Sequence, residues 1–172
     1  MLNWKNPQEA EIRLAVAESL SKLAGKKQNS LRVAGIPGAM EFISSLLNTQ
    51  RSSNGASDET LEGESVNDQQ NEFSAFNQLG LSILKKLARD HDNCEKIGNT
   101  RGLLPKIIDF SCTGERLFRN SHDKYSRILA AKKSLRMLKL LARTSGTAGK
   151  HLRQDIVEIV HNNQHQGNSQ VW

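Results

Sequence analysis

KLARDHDNCEKIGNTRGLLPKII, Lys86 to Ile108, lies without a gap over KLAGKKQNSLRVAGIPGAMEFIS, Lys22 to Ser44, at a constant offset of 64 residues. Leu87 falls on Leu23, Ala88 on Ala24, Asn93 on Asn29, Ile97 on Val33, Gly102 on Gly38 and Ile107 on Ile43. Upstream, Leu84 meets Leu20 and Leu81 meets Ala17. A partial third copy follows the second at an offset of 54, with Leu135, Leu138, Leu141, Ala142 and Lys150 in the places of Leu81, Leu84, Leu87, Ala88 and Lys96. Each copy reads as a long amphipathic helix ending in Leu-Ala, a break, a short Asn-led helix, a Gly and a further helix. One such unit cannot bury its own apolar face, but stacked units can. The expected fold is therefore all-α, an α-α superhelix or helical solenoid. The same register predicts like surroundings for Leu23 and Leu87.

Composition agrees. A hydrophobic fraction of 37%, an aromatic fraction of 5% and only three prolines in 172 residues suit a Leu-rich helical core better than a β-sandwich. The net charge of +6 is unevenly spread. Residues 51–72 carry one basic residue against six acids, whereas residues 73–172 carry seventeen against eight. A basic surface attracts nucleic acid, anionic lipid or acidic protein; a Lys-rich solvated helix face is the plainer alternative. Two cysteines, Cys94 and Cys112, make no disulfide framework and fit a reducing compartment. No apolar run approaches the ~18 residues that span a bilayer. The N-terminus has no signal-peptide core, so a cytoplasmic or nuclear location is expected.

In chain order, Asn6 caps and Pro7 starts a first helix with Ile12, Val16, Leu20 and Leu23 on its expected inner face. Gly25 stops it. Asn29 or Ser30 caps a short helix, and Pro37 starts the next, with Met40, Ile43, Leu46 and Leu47 inward. Repeat one is thus 7–47. Residues 48–72 are polar, acidic and aperiodic, and read as a disordered inserted loop. This insert stretches the first offset beyond the ~40 to 47 residues of a typical three-helix repeat. Residues 73–160 hold repeat two and a partial repeat three. There Phe73 and Phe76 serve as core anchors, Gly80 marks a close helix crossing, and Asp90 or Asp92 caps the helix around Asn93. The last long helix, about 121–143, has Ile128, Ala131, Leu135, Leu138 and Ala142 as its expected inner stripe. Residues 161–172 read as a disordered tail.

The pattern L..LA....N...I...G.L..I resembles the armadillo repeat, with GIPGAMEFISSLL (Gly35 to Leu47) the best single match. RGLLPKIIDFS and SLRMLKLLARTSGTAGKHLRQDIVEIV look most like a group of plant armadillo-repeat proteins of unassigned activity. The resemblance spans roughly residues 8 to 160 apart from the insert, about two and a half repeats. It implies a protein-binding scaffold without catalysis, and a fragment of a longer chain. In that family the last helix of each repeat lines a groove for extended peptides. By motif position those helices are here 37–47 and 103–110, and Glu41, Ser44, Ser45, Lys106 and Asp109 become the groove candidates. Nuclear-import adaptors of the family carry Trp and Asn ladders there. This chain has none, with Trp4 and Trp172 at its ends, which disfavours import-signal recognition.

Catalytic motifs are missing from the sequence. GTAGK (Gly146 to Lys150) departs from a phosphate loop, since His151 follows the lysine and Thr144 stands where the first Gly belongs. His91 and Cys94 share a spacing of three, without the further ligands a zinc site needs. No cofactor or metal is expected, and no enzyme activity. The remaining candidate is electrostatic. Lys132, Arg136, Lys139 and Arg143, with Lys133 and Arg127, form a basic surface able to touch phosphates of nucleic acid or lipid headgroups. With little aromatic interleaving to stack bases, such contact would be sequence-blind.

Overall fold

A computed structural model of the chain describes residues 7–48, 66–112 and 124–168. Within them every regular element is helical: α1 (Pro7–Ala24), α2 (Lys27–Gly35), α3 (Ala39–Leu46), α4 (Val66–Leu87), α5 (His91–Asn99), α6 (Leu103–Ser111), α7 (Lys124–Ala142) and α8 (Gly146–Asn168). No strand is formed among the described residues.

The bounds repeat with the sequence. Shifting α2 by 64 residues gives α5 at both ends, and the same shift carries the start of α3 onto the start of α6. The turn between them recurs as well. Gly38 caps α3 at φ 78° and Gly102 caps α6 at φ 71°, a left-handed conformation that costs other L-residues about 1–2 kcal/mol. Helix α3 thus starts at Ala39, two residues after Pro37. Helix α2 likewise begins at Lys27, ahead of Asn29 and Ser30, and the Ser30 hydroxyl turns back to the Lys27 carbonyl. In the second unit Asp90 caps α5, its carboxylate accepting from the Asp92 N–H at 3.1 Å. Asn6 lies outside the described residues.

Corresponding helices lie against one another. Helix α1 packs on α4 and α4 on α7; α2 packs on α5 and α5 on α8; α3 packs on α4 and α6 on α7. A single apolar core runs through all of them, with Ile43, Leu46, Leu47, Leu81, Leu84, Leu87, Ile97, Leu103, Ile107, Ile108, Met137 and Leu141 fully buried. The Gly80 crossing is real: a Cβ there would lie 2.8 Å from Leu47 Cδ2 and 3.3 Å from Leu46 Cβ. At the corresponding place in the third unit, the Ser134 hydroxyl donates to the Ile107 carbonyl of α6.

Further expectations need correction. Helix α4 begins at Val66, so residues 66–72 of the expected loop are helical; residues 49–65 lie outside the described ones. Polar residues such as Gln69, Gln70 and Glu72 have good helix propensity and prolong a helix already nucleated downstream at little cost. Helix α8 likewise runs to Asn168, through most of the expected tail. Units one and two turn at a glycine, whereas the stretch of α8 beyond Leu152 reads Arg153, Gln154, Asp155, Ile156, Val157, so nothing breaks the helix.

The faces of α1 and α7 are also turned. On α1 the small residues Ala17 and Ala24 are buried, while Ile12 (64% exposed), Val16 (42%) and Leu23 (43%) look outward. On α7 the buried line is Ala130, Ser134, Met137 and Leu141, and Ile128 (45%) and Leu135 (56%) are open. Leu23 and Leu87 therefore differ in burial. Helices α1, α2 and α3 all pack on α4, whereas no described unit precedes α1. Both α1 and α7 carry apolar residues on two sides, and the side bearing Ile12 on α1 or Leu135 on α7 is exposed.

Candidate functional site

Helices α3 and α6 occupy the same place in successive units and are tied together directly. The Lys106 ammonium of α6 donates to the Ser44 carbonyl at 2.8 Å. That carbonyl lies in the last turn of α3 and also accepts from the Leu47 N–H at 3.2 Å, and a cation there meets the negative end of the helix dipole. Partial burial pushes the Lys106 pKa down. Two further lysines bridge units in the same way. Lys86 of α4 donates to Ser21 of α1, 2.6 Å to the carbonyl and 2.9 Å to the hydroxyl, and Lys133 of α7 reaches the Gln78 carbonyl of α4 at 3.0 Å.

The groove candidates separate accordingly. Glu41 is exposed on α3. Ser44 is buried, and its carbonyl accepts from Lys106. Ser45 is half-buried, accepting from Arg13 of α1 at 2.9 Å and donating to the Phe42 carbonyl. Asp109 is half-buried on α6, with the Asn163 amide of α8 at 3.5 Å from its carboxylate. Sequence reasoning missed Arg13 and Asn163. No periodicity signals a polar residue that crosses between helices, and Asn163 sat in a segment read as tail. A shallow open depression lies beside this region, where the α5–α6 turn meets Asp155, Glu158 and Ile159 of α8.

On α7, Lys132, Arg136, Lys139 and Arg143 are all exposed. At about 100° per residue they fall on one side of the helix. Arg127 lies nine residues before Arg136, half a turn round, and is half-buried. Lys133 is drawn inward toward α4, and its pKa is lowered by burial and by the charges of Lys85 and Lys86. No acidic residue interrupts α7.

His91 is exposed at the start of α5, whereas Cys94 is buried, its thiol 3.3 Å from the Ala88 carbonyl and its pKa raised by burial. Asn93 beside it is also buried and donates to the Leu87 carbonyl, closing the C-terminus of α4. GTAGK forms the first turn of α8, with Gly149 packed against the Thr144 carbonyl. Among the described residues, no group of three or more His, Cys, Asp and Glu side chains is placed to hold a metal ion. Nor is any described helix long and apolar enough to cross a membrane. Polar side chains thus stand on α3 and α6, and an exposed row of basic residues on α7.

No family model, curated protein or solved structure matches the chain.

Proposed function

We propose that the chain is a non-catalytic protein-interaction scaffold, an armadillo-like solenoid of two three-helix units and part of a third, acting in the cytoplasm or nucleus. One observation carries the reading. The helix–glycine–helix step from α2 through Gly38 to α3 recurs from α5 through Gly102 to α6 at the same 64-residue spacing. The reading takes Glu41, Ser45, Lys106 and Asp109 as one binding strip, and the link from Lys106 of α6 to the Ser44 carbonyl of α3 supports it. An extended peptide laid across that strip would meet charges of both signs. The test is quantitative co-purification with the wild-type chain and with Glu41→Lys and Asp109→Lys. The reading expects bound partners to fall away in the variants while helix content is kept. An unchanged partner set removes the groove.

A second reading rests on the exposed line Lys132, Arg136, Lys139 and Arg143 on a helix without acids. It takes α7 as a sequence-blind contact for nucleic acid or anionic lipid. Binding to duplex nucleic acid or to anionic vesicles should then weaken steeply with salt, since each phosphate contact releases counterions. No binding at about 50 mM salt rules it out, because such contacts are strongest at low ionic strength.

A further inference from the structure

The outward face of α4 repeats the charge pattern of the exposed row on α7. At the offset of 54, Lys85 corresponds to Lys139, Arg89 to Arg143 and Ser82 to Arg136. At about 100° per residue, each trio falls within about 60° on its helix. Two hydrogen bonds set the helices level in this register. The Gln78 amide of α4 donates to the Ser126 carbonyl of α7 at 2.7 Å, and the Lys133 ammonium of α7 donates to the Gln78 carbonyl at 3.0 Å. They span 48 and 55 residues, which brackets the offset of 54. Helix α4 packs on both α1 and α7, and Lys85 and Arg89 reach solvent with both in place. Lys133 stands between the rows, its pKa lowered by burial and then by the charges of Lys85 and Lys86, so the cations gather closely there. Residues 73–89 and 124–145 hold ten Lys and Arg and no Asp or Glu. Acids return at the edges: at Asp90, whose carboxylate caps α5, and on α1 at Glu18, which corresponds to Ser82 at the offset of 64.

Two cationic rows narrow the kind of partner. Packed helices lie about 8–10 Å apart, and each row advances about 5 Å per turn. A duplex offers charge in the same form, as two phosphate strands facing each other across a groove of about 6 Å on the minor side of B-DNA. A single strand is held by stacking on aromatic rings, and Tyr125 is the one exposed aromatic residue among those described on α4 and α7. A bilayer is held by apolar side chains set among the cations. Yet the described part of α4 exposes no large hydrophobic residue, and Ile128 and Leu135 lie on the side of the α7 row away from Lys133.

We propose that α4 and α7 together form a sequence-blind seat for the backbone of a nucleic-acid duplex, Lys85 and Arg89 meeting one strand and Arg136, Lys139 and Arg143 the other. The proposal rests on the α7 reading above and deepens it, from one helix to two and from any anionic surface to a duplex.

Fluorescence anisotropy of a labelled duplex of about 20 base pairs, at salt between about 50 and 200 mM, tests this. Log affinity should fall linearly with log salt. Lys85→Gln/Arg89→Gln should make the slope shallower by about 2, since each duplex phosphate contact adds about 0.9. Lys139→Gln/Arg143→Gln should do the same, and the four changes together should give about 4. Lys27→Gln/Arg32→Gln removes the same charge from exposed positions on α2 and should leave the slope in place. The duplex should also bind more tightly than a single strand of equal length, or than vesicles of equal parts phosphatidylserine and phosphatidylcholine. Should a glutamine pair lose helix by circular dichroism, Lys85→Ala/Arg89→Ala replaces it with the same expected change. A slope altered by the α7 pair but not by the α4 pair overturns the two-helix seat and leaves the α7 reading standing. Single strand or vesicles bound as tightly as duplex overturn the choice of partner, with the same consequence. An α2 pair that alters the slope as much as the others overturns the proposal by tracing binding to net charge. No binding to any of the three at about 50 mM salt removes both readings.

Discussion

The ammonium of Lys106 sits 2.8 Å from the backbone carbonyl of Ser44, joining the third helix of one unit to the third helix of the next. This contact uses the lysine's charge and the end of α3 together. Replacing Lys106 by Met keeps the aliphatic stem and removes the donor. The expected cost is about 1–2 kcal/mol, the roughly 1.5–3 kcal/mol of a hydrogen bond to a charged group reduced for solvent screening at a half-exposed site. Urea denaturation, with an unchanged slope, is the measurement.

Alkaline stability should show two opposed trends. Burial raises the Cys94 thiol, so above its ordinary value of 9.0 the unfolded chain loses that proton before the folded one. The stability this supplies is whole below pH 9 and declines as pH rises beyond it. Lys106 and Lys133 are lowered from 10.5, so below that value the unfolded chain holds more protons. Their effect is to raise stability as pH climbs toward 10.5, and to lose that gain as pH falls through their folded values. Cys94→Ala should remove the decline above pH 9 and keep the rise toward pH 10.5. The double change Lys106→Met/Lys133→Met should leave only the fall. Chemical denaturation across that window separates them.

Position 80 and position 16 occupy the same place in two units but different surroundings. Gly80→Val drives atoms into Leu46 and Leu47 and should cost about 1–3 kcal/mol through overpacking. Val16→Ser, on the open side of α1, should stay within about 0.5 kcal/mol. Comparable losses at both sites would show that α3 does not cross α4 where described.

Gly102→Ala leaves the space around the turn open, since nothing lies within 4 Å of the added carbon, yet forces alanine to φ 71°. A loss of about 1 kcal/mol is expected from the backbone alone. Thermal melts of Gly102→Ala beside Gly35→Ala, a glycine with the same open space and no positive φ, isolate the conformational cost.

The thiols should react at very different rates. Cys112 is exposed at the end of α6, and Cys94 is buried with a raised pKa. Thiolate availability governs such reactions. One equivalent of a thiol reagent should add quickly to the native chain, and the second only on unfolding.

Much of this architecture is legible in the residues. The Leu-Ala ends, the two Gly turns and the aliphatic faces of α3 and α6 all fall where the periodicity puts them. The faces of α1 and α7 are not legible, because a helix with apolar residues on two sides does not say which side has a neighbour. Ile12 and Leu135 look like core by spacing and are exposed. The length of α8 was hidden for another reason: a polar stretch with no breaker prolongs a helix just as well as an apolar one. Among the groove candidates, Glu41 could be placed by motif position, but the inward turn of Ser44 and the reach of Arg13 depend on helices distant in sequence.

The stacking of like helices is tested most directly by proton–proton Overhauser contacts across the first junction. The account requires cross-peaks between the Leu47 δ-methyls and the Gly80 α-protons, and between Ser134 and Ile107 at the second. Finding both at their two places would bear out side-by-side units. Leu47 methyls that show contacts only within their own unit, with Gly80 open to solvent, would contradict it.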